Sequence, residues 1–87
     1  MADERLQEVD RSIRERGPRP GERYRHYKGG EYEVVANAVF ENTLGHLVLY
    51  RPVRDAGRLW ARTIDDWQAP VDVGGKTVPR FERLEDF

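Results

Sequence analysis

Beyond residue 22 the chain consists of short runs of alternating apolar and polar residues, which Gly, Pro, Asn or Asp interrupts about every ten residues. Alternation with a period of two is typical of β-strands that have one buried and one solvated face. The runs follow one another without an intervening helical pattern, so neighbouring strands are joined by turns and pair antiparallel. This pattern predicts a mainly β, antiparallel fold.

The runs are sufficient for five strands and one additional hairpin. Closing such strands into a barrel leaves fewer unpaired edges than an open sheet of the same size. We therefore expect a small antiparallel barrel of about five strands, with an N-terminal helix. The predicted strands are Arg23 to Tyr27, Tyr32 to Phe40, Leu47 to Arg51, Leu59 to Thr63 and a last strand led by Pro79, Arg80 and Phe81, with the hairpin from Val71 to Val78 before it.

Glycine and aspartate residues mark the predicted turns. Gly29-Gly30 and Gly74-Gly75 can take the positive φ that tight hairpin turns need, and Asp55-Ala56-Gly57 indicates another turn. Asp65-Asp66-Trp67 is short enough for a single 3₁₀ turn. We interpret its two carboxylates as capping groups for the first amides of that turn, and not as a catalytic pair.

Residues 1–16 have a helical pattern instead. Leu6, Val9 and Ile13 recur three and four residues apart, so they form one stripe on a helix from Asp3 to Arg16. Gly and Pro make residues 17–22 a linker, and residues 23–87 form the single β domain. Three apolar side chains cannot hold such a helix alone in water. We expect the stripe to dock on the barrel or on a partner, and a homo-oligomer through this helix is one alternative.

The length and charge of the chain exclude several classes of protein. Its 87 residues are enough for one small domain only. With 15 basic and 16 acidic side chains the net charge is -1, so only a local patch could attract nucleic acid or an anionic membrane. The absence of cysteine excludes disulfides and thiolate metal sites. Because no signal-peptide or membrane-spanning run is present, we predict a cytoplasmic protein without membrane contacts.

Four ordered motifs resemble a known family. They read YRHYKGGEYEVV from Tyr24, LVLYRP from Leu47, LWAR from Leu59 and VPRF from Val78. Together they are similar to the small bacterial family of domain of unknown function 1653, over about residues 22 to 84. The resemblance implies a small β-barrel of the Src-homology-3 type, and it implies no established activity.

Two parts of the chain depart from this resemblance. Where such proteins read Ala-x-His-Ser-Glu-Thr after the second strand, this chain reads AVFENT from Ala38, so any role of that histidine does not transfer. The helical residues 1–16 lie outside the resemblance, which therefore implies no purpose for them.

The two histidines form no catalytic or metal-binding pattern. His26 lies between two tyrosines, and we expect His46 in another loop, without a serine or carboxylate at catalytic spacing. Two histidines without cysteine also fall short of the about four ligands of a structural metal site. We predict no catalytic residue, no metal and no cofactor, and a small hydrolase or transferase is the least favoured function.

Aromatic and basic residues are interleaved between Arg23 and Arg62, where seven Arg or Lys residues stand against four Asp or Glu residues. Small barrels bind extended peptides or single-stranded nucleic acid across such surfaces. The sequence favours a non-catalytic binding module for an unidentified protein, peptide or small-molecule ligand, and a nucleic-acid accessory protein is the alternative. The expected ligand-binding residues are Tyr24, His26, Tyr27, Lys28, Arg62, Trp67 and Arg80.

Strand alternation divides the aromatic residues between the two faces of the sheet. Tyr24 and His26 share one face of the first strand and Tyr27 lies on the other. We expect Tyr24 and His26 on the partner-facing side. Trp60 is interpreted as a core residue, because the composition offers few aliphatic residues to fill the interior.

Overall fold

In the computed structural model, residues 2–55 and 57–85 are described. Ala56 of the predicted third turn and the last two residues of the predicted 23–87 domain lie outside the described residues. The elements are α1 (Ala2–Arg16), β1 (Arg23–His26), β2 (Glu31–Phe40), β3 (Gly45–Pro52), β4 (Trp60–Thr63), α2 (Ile64–Gln68), β5 (Pro70–Val73), β6 (Lys76–Pro79) and β7 (Phe81–Leu84).

The strands form a five-stranded antiparallel sheet in the order β4-β3-β2-β1-β7, and β5 and β6 form a separate hairpin. The predicted mainly β, antiparallel fold with an N-terminal helix is therefore confirmed. Within the described residues β4 and β7 are the edges of the sheet and do not pair with each other. Closure into a barrel thus stays a prediction.

The glycine pairs form the turns that their conformational freedom allows. Gly29 and Gly30 have φ of 98° and 85° between β1 and β2, and Gly74 and Gly75 have φ of 57° and 82° between β5 and β6. A side chain beyond the Cα carbon would strain the backbone at these angles. The glycines therefore determine where each hairpin reverses.

The core lies on one face of the sheet, beneath α2. Strand β3 buries His46, Val48 and Tyr50 at alternate positions, as a strand with one covered face does. Most of the remaining core comes from β2, β7 and α2. The hydrophobic cluster consists of Val34, Val48, Tyr50, Ile64, Trp67 and Phe81.

The two tryptophans differ in burial, and Trp60 is not buried as we expected. Trp60 is 45% exposed and Trp67 is 5% exposed. Trp60 begins the edge strand β4, beyond which the described residues contain no further paired strand, and the Arg58 guanidinium lies 5.7 Å from its ring. Trp67 lies on α2 and is packed into the core. The interpretation of Trp60 as a core residue was wrong.

The short segment after β4 is an α-helix and not a 3₁₀ turn. Its N-cap is Thr63, whose hydroxyl accepts a hydrogen bond from the Asp66 amide at 3.1 Å. Asp65 and Asp66 lie in the first turn, where their charges favour the positive end of the helix dipole. Their prediction as capping residues was therefore wrong, because Thr63, directly before the first helical residue, already occupies the cap position.

Helix α1 docks on its own sheet, against β3. Val9 is buried there, whereas Leu6 remains 40% exposed. Arg16 at the end of the helix pairs with Asp65 at 2.8 Å and donates to the Gln68 side chain at 3.0 Å, so α1 also contacts α2. Neither of the helices in the described part of the chain has the length and apolar character that crossing a membrane requires.

Candidate functional site

An aromatic cluster lies where β1, β7 and α2 meet. The register of the sheet sets Tyr24 opposite Tyr32 and His26 opposite Phe81. The Trp67 ring stacks on the Phe81 ring at 4.0 Å between centroids, with an angle of 12° between the rings. Side chains on opposite strands share a face of the sheet, so β1 directs Tyr24 and His26 toward the core side.

Tyr24 is half-buried against this cluster. Its ring meets Trp67 edge-on at 5.1 Å, and its hydroxyl donates to the Glu22 carboxylate at 3.0 Å. Burial, followed by the Glu22 carboxylate, raises the pKa of Tyr24 to about 12. The Tyr24 side chain packs against the hydrophobic core. Our expectation that it faces a partner was therefore wrong.

Arg62 is committed to contacts inside the protein. Its Nε donates to the Tyr50 hydroxyl at 3.0 Å, and it pairs with Asp66 at 2.6 Å. Its guanidinium also lies 5.5 Å from the centre of the Phe81 ring. Because Asp66 already compensates its charge, Arg62 is a structural residue at the border of this region.

His26 lies half-buried among rings and cations. Its ring is 4.6 Å from that of Tyr27, and its Nδ1 accepts a hydrogen bond from the Lys28 backbone amide at 3.2 Å. Burial lowers the pKa of His26, and the charges of Arg62, Arg80 and Lys28 lower it further. Above its usual pKa of 6.5 the ring is neutral, and the local potential around it is positive.

Arg80 and Lys28 flank the Tyr27 ring, with Arg80 Cζ at 6.0 Å and Lys28 Nζ at 5.8 Å from its centre. The Tyr27 amide also donates to the Arg80 carbonyl at 3.0 Å. Among the described residues, neither cation has a carboxylate within ion-pair distance. The Arg80 Nε is buried and has no hydrogen-bond acceptor in that part of the chain.

Two cavities lie in this region, and Tyr27 lines the first whereas Arg80 lines the second. One has a volume of about 430 Å³ and lies between the β1–β2 turn and the β5–β6 hairpin, with His26, Tyr27 and Val78 in its wall. The other, of about 320 Å³, is lined by Tyr24, Trp67 and Arg80. Trp67 thus contributes to the base of a cavity from within the core. All seven predicted site residues are brought into one region, but only Lys28 and Arg80 combine access with an uncompensated charge, and the Tyr27 ring lies between them.

Sequence reasoning missed a polar network at the other end of the sheet. His46, expected in a loop without a serine nearby, is a buried residue of β3, and its Nδ1 is 2.8 Å from the Ser12 hydroxyl. Its Nε2 is 2.8 Å from the Asn37 side-chain oxygen. The available signal was Ser12 itself, which follows Val9 by one helical turn and is therefore a polar residue beside the buried stripe.

No group of three or more His, Cys, Asp or Glu side chains that could hold a metal ion occurs within residues 2–55 and 57–85. The nearest approach to a catalytic arrangement is Ser12 with His46. Ser12 lies in the interior of α1, where backbone amides are bonded to carbonyls four residues earlier. The helix interior therefore offers no free amides of the kind that stabilise an oxyanion.

Comparison with known proteins identifies relatives of the chain. A family model described as "Protein of unknown function (DUF1653)" matches residues 22–83. A crystal structure of a protein of the same family from Bordetella bronchiseptica is similar, with a TM-score of 0.66 and 32% sequence identity, over 77% of this chain and 87% of that chain. No curated protein matches the sequence.

Proposed function

We propose that this chain, which belongs to the family described as protein of unknown function (DUF1653), is a non-catalytic binding module for an anionic ligand. The family description assigns no activity, so the proposal rests on the chain's own side chains. The contact surface, here called the Arg80 surface, consists of Tyr27, Lys28 and Arg80. His26 lies beside it, and Tyr24, Arg62 and Trp67 support it from the core side. The ligand is an acidic peptide segment or a small molecule with a carboxylate or phosphate group.

The proposal depends on which of the half-buried arginines have a carboxylate partner that compensates their charge. Three arginines in the described residues are half-buried, namely Arg51, Arg62 and Arg80. Arg51 pairs with Glu33 at 2.7 Å, and Arg62 pairs with Asp66 at 2.6 Å. Arg80 has no such partner, and its Nε lacks an acceptor. A buried N–H donor without an acceptor, on a half-buried cation without a counter-charge, is costly, so an anion from outside the chain would be favoured there.

The surroundings of Arg80 indicate what else the ligand carries. A guanidinium presents its donors in a planar fork that matches a carboxylate or phosphate, and Lys28 adds a second charge nearby. The Tyr27 ring and the apolar Val73 and Val78 line the adjacent cavity of about 430 Å³, whose wall also contains the oppositely charged Arg25 and Glu82. An anionic group joined to an apolar body satisfies both parts of the surface.

We also propose that the sheet closes into a small barrel of the Src-homology-3 type. Trp67 belongs to α2, the helix that directly follows β4, and Phe81 belongs to β7, yet their rings stack at 4.0 Å. The Arg62 guanidinium of β4 lies 5.5 Å from the same Phe81 ring. The two edges of the sheet therefore approach each other, as a strongly curled sheet requires. Nuclear Overhauser contacts between the Arg62 and Phe81 side chains in solution would test this curl.

Binding is tested with defined probes by isothermal titration calorimetry on the full chain. The probes are a soluble peptide of alternating Glu and Leu residues, the matched Gln and Leu peptide, inorganic phosphate and a thymidine oligonucleotide. We expect the Glu-containing peptide to bind and the Gln-containing peptide not to bind. Arg80→Met should weaken binding at least about tenfold, as the loss of one charge-assisted contact does.

Arg11→Met is the matched control, because Arg11 is exposed on α1 and makes no ion pair among the described residues. It should bind the probe like the unmodified chain. Equal affinity of the Arg80→Met chain, or no binding of any anionic probe, would overturn the proposal. Tighter binding of the oligonucleotide than of the peptide, with a steep dependence on salt, would assign the surface to nucleic acid instead.

A further inference from the structure

A continuous chain of hydrogen bonds connects helix α1 to the sheet. The Ser12 hydroxyl is 2.8 Å from His46 Nδ1, and His46 Nε2 is 2.8 Å from Asn37 Oδ1. The Asn37 side-chain NH₂ group then donates to the Pro18 carbonyl at 2.8 Å. The chain therefore begins on α1, passes through β3 and β2, and returns to the segment that follows α1.

This geometry determines the protonation of His46. Because the Asn37 amide nitrogen already donates to the Pro18 carbonyl, the Asn37 oxygen faces His46 and can only accept. His46 must then carry its proton on Nε2, which leaves a lone pair on Nδ1 for the Ser12 hydroxyl. Every polar atom of the neutral ring has a partner. His46 is only 5% exposed, so the site is adapted to the uncharged imidazole.

The orientation of Asn37 depends on the residue at the end of the helix. A Cβ atom at Gly17 would lie 2.6 Å from the Asn37 side-chain oxygen and 2.6 Å from the Ile13 carbonyl oxygen. Only glycine permits this approach, and the Gly17 amide donates to that same carbonyl at 3.1 Å. Gly17 thus closes the helix directly against the Asn37 amide.

A charged His46 would find little compensation in this environment. Helix α1 directs Arg5, Glu8 and Arg16 toward the cavity beside the ring, and α2 contributes Asp65. Strand β2 and the β2–β3 turn offer only neutral groups there, including the Asn37 amide and Thr43. Asp65 is already paired with Arg16 at 2.8 Å. No carboxylate in the described residues is hydrogen-bonded to the ring.

We propose that His46 is a latch: protonation of its ring releases helix α1 from the sheet while the sheet itself stays folded. Burial, followed by the Arg16 charge, lowers the pKa of His46, and Asp65 opposes this effect only in part. Protonation of the ring costs the least free energy where water can solvate the resulting charge. Detaching α1 provides that access, because α1 contributes the buried Val9 and an exposed ion pair but no member of the hydrophobic cluster.

The latch also borders the Arg80 surface, a consequence that rests on the proposed function. Arg16 and Pro18 form one wall of the cavity of about 320 Å³ that contains Arg80. The Asn37 side chain holds that wall through the Pro18 carbonyl. Release of α1 would therefore remove the wall and change the binding of an anionic ligand. The release itself does not require that any ligand binds.

The sign of the pH dependence follows from the lowered pKa of His46. Above its ordinary value of 6.5 both the docked and the released forms carry a neutral ring, and docking has its full stability. As the pH falls below 6.5, the released form takes up a proton more readily than the docked form. The equilibrium constant for release should then rise by up to about tenfold per pH unit until the docked ring titrates as well.

Amide hydrogen exchange on the full chain, from pH 7.5 to 5.5, measures this equilibrium. This range stays above the ordinary pKa of carboxylates, at about 4. After correction for intrinsic exchange rates, the amides of α1 beyond its first turn should lose protection toward pH 5.5, whereas the β2 and β3 amides keep theirs. His26→Gln is the matched control, because the chain contains only two histidines, and it should retain the whole pH dependence.

His46→Gln removes the titrating ring and should make the protection of α1 independent of pH. If that variant does not fold, the imidazole carbon shifts of His46 in the unmodified chain provide the test, since His46 must titrate together with the loss of α1 protection. Protection of α1 that is constant across the range would overturn the latch. So would a pH dependence that persists in His46→Gln or disappears in His26→Gln. These outcomes are independent of whether any probe binds the Arg80 surface.

Discussion

Replacing Trp67 by alanine should remove most of the stability of the domain. Trp67 is 5% exposed, stacks on Phe81 at 4.0 Å and meets Tyr50 edge-on at 5.1 Å. A buried tryptophan covers about 150–250 Å², which at about 25 cal/mol per Å² corresponds to about 4–6 kcal/mol. A more compact unfolded chain lowers that figure by about 10–40%. We expect a loss of about 3–5 kcal/mol, against a total of about 5–15 kcal/mol for a natural domain.

Urea unfolding, followed by far-ultraviolet circular dichroism at 25 °C, measures this loss. Trp67→Phe keeps a ring on Phe81 and should cost less than the alanine variant, so it provides a value even if Trp67→Ala does not fold. Trp60→Ala is the matched control, because Trp60 is 45% exposed on an edge strand, and it should cost about 1 kcal/mol. A loss at Trp60 equal to or larger than the loss at Trp67 would refute the reasoning.

Two further predictions concern the N-terminal helix and Tyr24. Deletion of residues 1–16 should leave the sheet folded by circular dichroism but lower its melting temperature, because the cut removes Val9 and no member of the hydrophobic cluster; a cut chain without β structure would show that the helix completes the core. Glu22→Gln should lower the pKa of Tyr24 from about 12 toward 10.0, measured by tyrosinate absorbance, since the Glu22 charge raises that pKa in addition to burial. Stability linked to Tyr24 is present below pH 10.0 and lost as the pH rises toward about 12. An unchanged titration in Glu22→Gln would contradict the hydrogen bond between the two side chains.

The surface that we propose for binding was only partly accessible from the sequence. Interleaved aromatic and basic residues predicted the region, and the structure brings them together around Tyr27 and the Trp67–Phe81 stack. The sequence could not distinguish Arg62 from Arg80, because both are arginines within two residues of an aromatic residue. The distinction depends on Asp66, which lies one helical turn beyond Arg62 and compensates its charge at 2.6 Å.

The polar network at His46 was not predicted, because the position of Ser12 beside the buried stripe does not identify its partner. Ser12 and His46 are 34 residues apart in the chain, and hydrogen bonding between them requires that α1 folds back onto β3. The resemblance covers only the β domain, so it carried no information about this contact. Helical periodicity identified Val9 as a docking residue but could not identify the surface on which it docks.

The sequence by itself determined the strands, the turns and the helical start, because alternation, glycine at positive φ and helical periodicity act over a few neighbouring residues. Tertiary structure decided which aromatic rings are buried, which cation lacks a partner and which histidine is held neutral. Burial depends on register, on edge position and on the packing of α2 against β7. Trp60 and Trp67 are only seven residues apart, yet the first lies on an open edge and the second is packed in the core. Such differences depend on which distant segments of the chain pack into the interior.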